Sequence, residues 1–207
     1  MCSFDPGWAE ISVGTALTRA GRRAAGAAER LEQAALDLYQ KQGFESTTVA
    51  EIAERAGMTE RTFFRHYADK REVLFASSAQ GQQFLVPLAL DQEPQVAPLE
   101  TVTAAVCGTA EIFEERRQFV KQRQAIIAAN PELQERELIK MAALAAALAD
   151  ALRQRGVPEP RATLAAEAGM AIFRVAFERW SSGPDHLSLR QVIDESAEAL
   201  LAVASAS

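Results

Sequence analysis

The chain has 207 residues, of which 48% are hydrophobic and 24% are charged. This length and balance fit one compact unit with a small appendage, and exclude a fibrous repeat or a chain that is disordered along its length. No apolar run approaches the roughly 18 residues of a membrane-spanning helix. The N-terminus lacks the basic start and apolar stretch of a secretory signal. We therefore expect a cytoplasmic protein without a membrane segment.

The acidic charge is spread unevenly along the chain. The net charge is −6, yet residues 19–75 carry ten basic and nine acidic side chains, so most of the acidic excess lies after them. Four arginines lie ahead of the first predicted helix or near its start: Arg19, Arg22, Arg23 and Arg30. They form either a basic arm that contacts nucleic acid or a solvated leader.

Residues suited to catalysis or to metal binding are sparse. The cysteines, Cys2 and Cys107, lie too far apart in sequence to suggest a metal cluster or a disulfide framework. The histidines, His66 and His186, have no other metal-binding side chain at ligand spacing. No nucleophile motif or glycine-rich phosphate loop occurs. We expect no metal, no cofactor and no catalytic residue; a helical enzyme, or an adaptor whose helix-turn-helix does not bind DNA, is the alternative class.

Apolar residues recur at spacings of three and four along almost the whole chain, which predicts an all-α protein. Pro87, Pro94 and Pro98 mark a loop between two groups of helices. The nine expected helices cover residues 26–42, 48–55, 59–66 and 69–86 before this loop, and 99–117, 118–129, 131–155, 160–180 and 188–204 after it.

Residues 47–70 have the spacing of a helix-turn-helix. Thr48 and Glu51 have capping-box spacing, Gly57 lies in a tight turn, and Thr59 caps the next helix. The expected inner faces are apolar and comprise Val49, Ile52, Ala53, Ala56, Phe63 and Tyr67. The residues expected to point outward from the last helix are Glu60, Arg61, Thr62, Phe64, Arg65 and His66.

This outward face has side chains that suit duplex DNA. Arg61 and Arg65 are four residues apart, and arginine donates hydrogen bonds to guanine O6 and N7. Phe64 can pack on a thymine methyl group or a deoxyribose. Thr47, Thr48 and Lys70 place hydroxyls, free backbone N–H groups and a positive charge where phosphates would pass.

Residues 31–75 resemble the TetR family of bacterial transcription regulators. The family motif is Thr-x-x-x-Ile-Ala-x-x-Ala-Gly-Val-Ser, followed by Thr-Leu/Phe-Tyr-x-His-Phe and a lysine. Phe64 stands where many members have a tyrosine whose hydroxyl contacts a phosphate, so that contact is lost here. Matching positions are Thr48, Ile52, Ala53, Ala56, Gly57, Met58, Thr59, Thr62, Phe63, His66, Tyr67 and Lys70. Together with the geometry, the resemblance indicates a DNA-binding set of Thr47, Thr48, Thr59, Glu60, Arg61, Thr62, Phe64, Arg65, His66 and Lys70.

The resemblance implies a two-part protein. Residues 1–25 are expected to be a flexible leader, 26–72 a DNA-binding domain, and 73–207 a ligand-binding and dimerisation domain. The implied function is a ligand-responsive repressor that binds a palindromic double-stranded DNA operator as a homodimer and is released by a small apolar or amphipathic effector. Residues 123–149 look like a subgroup that includes the mycofactocin-system regulators, some of which sense long-chain acyl-coenzyme A, so acyl-CoA is one candidate effector.

Candidate effector contacts lie in the C-terminal part. Their aromatic rings either line a cavity or fill the core. Arg174 interrupts an apolar helix, so it either faces water, holds an anionic ligand or pairs with an acid across the dimer. The candidates are Phe84, Phe113, Met141, Phe173, Arg174, Phe177 and Trp180.

The last two predicted helices carry the stripes expected to form the dimer as a four-helix bundle. The close-packing face on the first comprises Ala165, Ala168, Gly169, Ile172 and Ala176. The more apolar stripe on the second comprises Val192, Ile193, Ala197, Leu200 and Leu201. An effector is expected to shift the helix over 69–86 and thereby change the separation of the two recognition helices.

Overall fold

The computed structural model describes residues 19–205, which form ten helices and no strand. The predicted all-α, two-part class is therefore confirmed. The helices are α1 (Arg19–Gln42), α2 (Val49–Arg55), α3 (Glu60–His66), α4 (Glu72–Leu90), α5 (Pro98–Cys107), α6 (Ala110–Glu115), α7 (Arg117–Ala128), α8 (Pro131–Gln154), α9 (Arg161–Ser182) and α10 (Leu189–Ser205). The chain divides into two compact units between Ala76 and Ser77.

The N-terminal unit packs α1, α2, α3 and the start of α4 around one apolar core. Its largest fully buried side chains are Leu31, Leu36, Ile52, Phe63, Leu74 and Phe75. Helix α1 begins at Arg19, earlier than the predicted start at residue 26, so the predicted leader of residues 1–25 is helical from Arg19 onward. Residues 1–18 of that predicted leader lie outside the described residues.

Pro87 was predicted to lie in a loop, but it lies inside α4. A proline within a helix removes one N–H donor and crowds the carbonyl of the preceding turn. The helix nevertheless continues past Pro87 to Leu90, and the Pro87 carbonyl accepts from the Asp91 N–H at 2.9 Å. The prediction failed because it treated every proline as a boundary.

Where one helix was predicted over residues 99–117, the structure has α5 and α6 separated by Gly108 and Thr109. A Cβ at Gly108 would lie 2.9 Å from Leu88 Cδ1. The break therefore lies where the end of α5 packs closely against the Leu88 side chain of α4. Arg116 then separates α6 from α7.

Helix α9 is central to the C-terminal unit, where it packs against α5, α8 and α10. The closest approach is at Gly169, where a Cβ would lie 2.3 Å from Val102 Cγ1 on α5. Four residues of the predicted dimer face are consequently buried inside the subunit: Ala165, Gly169, Ile172 and Ala176. That prediction was wrong, because a stripe of small residues indicates close packing without showing whether the neighbour belongs to the same chain.

The connection between α9 and α10 is held by side chains from α6 and α7. Arg117 donates to the carbonyls of Pro184 (2.9 Å) and Leu187, and Lys121 donates to the Gly183 carbonyl at 2.9 Å. Glu114 accepts from the Leu189 N–H at 2.6 Å, at the start of α10. These bonds fix the positions at which α9 ends and α10 begins.

Across the described part of the chain, no helix is both long and apolar enough to cross a lipid bilayer.

Candidate nucleic-acid interface

The turn between α2 and α3 has a defined hydrogen-bond pattern. The Met58 N–H donates to the Ala53 carbonyl at 2.8 Å, and the Gly57 N–H donates to the Glu54 carbonyl at 2.9 Å. Gly57 has φ of +69°, a conformation that glycine adopts without steric cost. This pair of bonds is a Schellman motif, which ends α2 and sets the direction in which the chain enters α3.

Both short helices are capped at their first turn, as predicted. Thr48 and Glu51 form a reciprocal capping box: the Thr48 N–H donates to Glu51 Oε2 at 2.7 Å, and the Glu51 N–H donates to Thr48 Oγ1 at 3.3 Å. The bond from the Thr48 backbone holds the pKa of the Glu51 carboxyl below its usual value. In α3, the Thr62 N–H donates to Thr59 Oγ1 at 3.3 Å. Helices of only seven residues depend on such caps and on packing for their stability.

Helix α3 is anchored by two aromatic side chains on its inner face. Phe63 is fully buried, and its ring centroid lies 5.5 Å from that of Tyr67. The Tyr67 hydroxyl donates to the Ala28 carbonyl of α1 at 3.3 Å. The predicted inner face of α3 is therefore confirmed, and it fixes the rotation of the helix.

The opposite face of α3 is exposed to solvent, with Phe64 54% exposed. The Phe64 ring packs edge-on against Phe63 at 5.5 Å, which restricts where it points. Thr62 and His66 are half-buried at the margins of this face. The other members of the face are Glu60, Arg61 and Arg65, all of which are exposed.

His66, one of the predicted DNA contacts on α3, is half-buried. Within the described part of the protein, its Nε2 atom is buried and has no hydrogen-bond partner. Burial and the neighbouring Arg65 charge both lower the pKa of His66. The imidazole is therefore neutral at physiological pH, and would meet a phosphate as a hydrogen-bond donor rather than as a cation.

Thr47 and Lys70, predicted as phosphate contacts, make hydrogen bonds within the unit. Thr47 is buried, and its hydroxyl donates to the Gly43 carbonyl at 2.8 Å. The Lys70 ammonium donates to the carbonyls of Phe44 (2.8 Å), Glu45 (3.1 Å) and Thr47 (3.0 Å). It also lies 4.4 Å from the centroid of the Phe44 ring. Both side chains thus support the connection between α1 and α2.

Two contacts that hold this unit together are not predictable from the sequence. The Tyr39 hydroxyl donates to the Lys70 carbonyl at 2.6 Å, and burial raises the pKa of Tyr39 above its usual value. Arg55 on α2 pairs with Asp37 on α1 at 2.6 Å. The sequence around Tyr39 gives no sign that its hydroxyl reaches a carbonyl 31 residues away.

Four of the candidate effector contacts form one aromatic cluster between α6 and α9. Phe113 lies 5.9 Å from Phe173 and 5.1 Å from Phe177, and Phe177 lies 5.6 Å from Trp180. The Arg117 guanidinium covers the Trp180 ring at 4.5 Å. Among the described residues, the buried Nε1 of Trp180 has no hydrogen-bond partner. We refer to these four rings as the aromatic cluster.

The remaining candidates lie apart from the aromatic cluster. Met141 and Arg174 line an open groove of about 240 Å³ between α8 and α9, together with Leu138, Ala142, Glu167, Met170 and Ala171. Arg174 is exposed, so it faces water. Phe84 lies on α4 and is 46% exposed.

In the described residues, no group of three histidine, cysteine or acidic side chains is placed to hold a metal ion.

Two short capped helices, a Schellman turn and an exposed face of arginines and an aromatic ring define a helix-turn-helix unit of the DNA-binding class. The family model described as bacterial regulatory proteins, tetR family, matches residues 32–76, and the model described as MftR C-terminal domain matches residues 96–205. The chain belongs to the tetR family of bacterial regulatory proteins.

Two curated proteins are similar to this chain in sequence. The HTH-type transcriptional regulator TcmR of Streptomyces glaucescens is 43% identical over 79 residues, which cover 37% of this chain and 34% of TcmR. The mycofactocin biosynthesis transcriptional regulator MftR of Mycobacterium tuberculosis is 26% identical over 117 residues, which cover 56% of this chain and 59% of MftR. The matches thus span about a third of TcmR and three fifths of MftR.

The fold is also that of a solved structure. SmeT of Stenotrophomonas maltophilia, in its complex with triclosan, superposes with a TM-score of 0.61 at 20% identity, over 86% of this chain and 90% of that one. This likeness confirms the arrangement of an N-terminal helix-turn-helix and a C-terminal helical unit.

Proposed function

We propose that this protein is a transcriptional repressor that binds a palindromic operator in double-stranded DNA as a homodimer and is released by a small apolar or amphipathic effector. The observation that carries the proposal is the outer face of α3, where arginines flank an exposed phenylalanine. Phe64 is 54% exposed beside Arg65, and a helix in the major groove can place such a ring on a thymine methyl group.

Arg61 is the principal candidate for reading a base. It lies in the first turn of α3, and residues near the start of a recognition helix are the ones that reach base edges. Its guanidinium can donate two hydrogen bonds to one guanine, and Phe64 lies in the next turn of the helix. In a dimer the two recognition helices would enter major grooves about 34–36 Å apart.

The homodimer is supported by an apolar stripe on α9 that the subunit leaves uncovered. Leu164, Ala168, Ala171 and Val175 follow one another at spacings of four, three and four, which places them on one side of the helix. Leu164 is 64% exposed and Val175 is 44% exposed. We name these four residues the α9 stripe, and propose that it replaces the buried face predicted from sequence.

The end of α10 adds exposed apolar surface near the C-terminus. Leu201 is 55% exposed and Val203 is 75% exposed. Arg179 on α9 pairs with Glu195 on α10 at 3.0 Å, which links the two helices along their exposed sides. Both helices therefore offer surfaces that a second copy of the chain would cover in a four-helix bundle.

The aromatic cluster and the groove between α8 and α9 support an apolar or amphipathic effector. Insertion among the four rings would bring the ligand to Trp180 Nε1, which has no hydrogen-bond partner among the described residues. The groove combines apolar side chains with one guanidinium, from Arg174, and one carboxylate, from Glu167, which suits an amphipathic molecule whose polar end meets Arg174.

Selection of bound duplexes from a random DNA library tests the proposal. We expect enrichment of a near-palindrome whose half-sites lie one helical turn apart. Arg61→Ala should weaken binding to the enriched duplex by about 1–3 kcal/mol and relax preference at one position of each half-site. Lys41→Ala, which removes an exposed charge from the end of α1, is the control and should preserve the preference. Recovery of no enriched sequence would refute the proposed function.

A further inference from the structure

A cleft lies between α1 and α3, beside the outer face of the recognition helix. Its volume is about 540 Å³, and it is lined by Gly26, Ala27, Arg30, Met58, Thr62 and Arg65. Three of these residues come from α1, which is not part of the helix-turn-helix. The cleft therefore extends the DNA-facing surface onto a neighbouring element.

The polar lining of the cleft suits an anion. Arg30 and Arg65 contribute two guanidinium groups and Thr62 contributes a hydroxyl, while none of the six lining residues is acidic. Arginine presents its N–H groups in a planar fork that matches phosphate oxygens. Both arginine residues are exposed, so each guanidinium is accessible to a ligand that approaches from solvent.

The α1 side of the cleft is shaped for close approach. A Cβ built at Gly26 would meet no atom within 4 Å, and the next residue is Ala27. Small side chains at these two positions leave room for an extended polyanion to pass α1. A DNA backbone beside the recognition helix is such a polyanion.

We propose that this cleft binds a phosphodiester group of the operator backbone, held between Arg30 of α1 and Arg65 of α3. This inference rests on the proposed function and deepens it. It makes Arg30 a DNA contact outside the helix-turn-helix, and it assigns Arg65 to the backbone rather than to a base.

The position of Arg65 along α3 agrees with this division. Arg61 lies in the first turn of the helix and Arg65 lies in its last turn. The start of a recognition helix reaches furthest into the groove, so the later arginine lies nearer the groove wall, where the phosphates are. The two arginines, equivalent by spacing in the sequence, thereby take different roles.

Salt titrations of DNA binding test the assignment. We would measure binding of the full chain by fluorescence anisotropy from about 50 to 200 mM NaCl. The two probes are the duplex selected above and a scrambled duplex of equal length and composition. The variants are Arg30→Ala, Arg30→Lys, Arg65→Ala and Arg61→Ala, with Lys41→Ala as a charge-matched control at the far end of α1.

Loss of one phosphate contact lowers the slope of log K against log salt by about 0.9. We expect Arg30→Ala and Arg65→Ala each to lose about this much, and to bind both duplexes roughly tenfold more weakly at about 0.1 M salt. Arg30→Lys should keep most of the slope because it keeps the charge. Arg61→Ala should weaken only the selected duplex, and Lys41→Ala should change neither.

Three outcomes overturn the inference without touching the proposed function. One is a wild-type slope for Arg30→Ala while the wild-type chain still prefers the selected duplex. Another is a loss in Arg65→Ala that is confined to the selected duplex, which would make Arg65 a base reader. An equal loss in Lys41→Ala would show a general charge effect and would also overturn it. If the wild-type chain prefers no duplex, the proposed function has failed instead.

Discussion

A lysine ammonium has three donors, and Lys70 has three backbone carbonyls within 3.1 Å of its Nζ atom. Lysine near the start of a helix beside a helix-turn-helix suggests a phosphate contact, because sequence shows charge and position without showing direction. In the structure, the Lys70 ammonium points to backbone carbonyls of the connection between α1 and α2. The Phe44 ring beneath it adds a cation–π contact.

We predict that Lys70→Ala destabilises the N-terminal unit by about 1.5–3 kcal/mol, the usual range for a hydrogen-bonded charged group. The three carbonyls would lose their donor, and the connection that leads into α2 would loosen. Urea unfolding followed by circular dichroism measures this change, with Lys41→Ala as an exposed control that should leave stability unchanged. Unaltered stability together with a salt slope lower by about one would instead make Lys70 a phosphate ligand.

Tyr39 gives a second residue-scale prediction, based on pH. Its folded-state pKa is raised by burial and by the Asp69 charge, whereas an unfolded tyrosine titrates near 10. The folded state therefore holds the proton more tightly, and this stabilisation is present below about pH 10 and is lost as the pH rises further. Tyr39→Phe lacks the group, so it should lose about 1 kcal/mol at neutral pH with the hydrogen bond to Lys70, and less above pH 10.

Urea titrations of wild type and Tyr39→Phe at several pH values between neutral and about 11 measure that difference. Tyr67→Phe is a useful comparison because it removes the other buried tyrosine hydroxyl of the same unit. A difference that stays constant across the range would contradict the assignment to Tyr39.

At this scale the sequence predicts local features well and long-range partners poorly. The capping residues Thr48 and Thr59, and the inward rings Phe63 and Tyr67, follow from spacing within one or two turns of chain. The partners of Thr47 and Lys70 depend on how α1 and α2 are brought together. A hydroxyl or an ammonium in a sequence is equally consistent with a backbone carbonyl and with a phosphate.

At the scale of elements, α5 and α9 cross most closely at Gly169. We predict that Gly169→Ala destabilises the C-terminal unit by about 1–3 kcal/mol, because the added methyl overlaps Val102 and the packed helices cannot easily separate. Adding Val102→Ala should recover part of this loss, since it removes the Cγ1 methyl 2.3 Å from the new Cβ but keeps the Val102 Cβ, which lies 2.8 Å from it. Thermal unfolding of the two single variants and the double variant measures the coupling.

Gly81→Ala is the matched control, because Gly81 is also helical and a Cβ there would meet nothing within 4 Å. Alanine favours a helix over glycine by up to about 1 kcal/mol, so this change should be neutral or stabilising. If Gly169→Ala changed the free energy of unfolding no differently from Gly81→Ala, helix propensity rather than overlap with Val102 would explain both changes. If the stability changes of the two single variants simply added in the double variant, positions 102 and 169 would not be coupled, and the overlap would be relieved by movement of other residues.

The bounds of the elements were predictable where a proline coincides with a real helix start. Pro131 is the first residue of α8, and the helix predicted to begin at residue 160 begins at Arg161. The prediction failed at Pro87, which lies inside α4, and at Gly108, where the one predicted helix is divided into α5 and α6. A proline or a glycine alone does not show whether a helix ends at its position.

At the scale of the whole molecule, the proposed dimer depends on the exposed α9 stripe. We predict that Val175→Glu converts the proposed dimer to monomer, because the carboxylate would be buried without a partner at a cost of about 3–5 kcal/mol. This corresponds to a dissociation constant raised at least about a hundredfold. Analytical ultracentrifugation over a range of concentrations measures the change.

Ile112→Glu is the control for that experiment, since Ile112 is 45% exposed on α6, away from the α9 stripe. It should leave the dissociation constant unchanged. A variant at Gly169 would not serve, because a side chain there overlaps Val102 inside the subunit and changes the stability of the subunit rather than its interface. A Val175→Glu chain that remains dimeric would place the interface on another surface.

The crossing of α5 and α9 also constrains how this sequence can diverge. Positions 102 and 169 share one small volume, so a methyl group gained at one must be matched by atoms lost at the other. Among relatives of this chain, those with alanine or serine in place of Gly169 should carry alanine or glycine in place of Val102. The two positions, 67 residues apart, would then change together in an alignment as a pair.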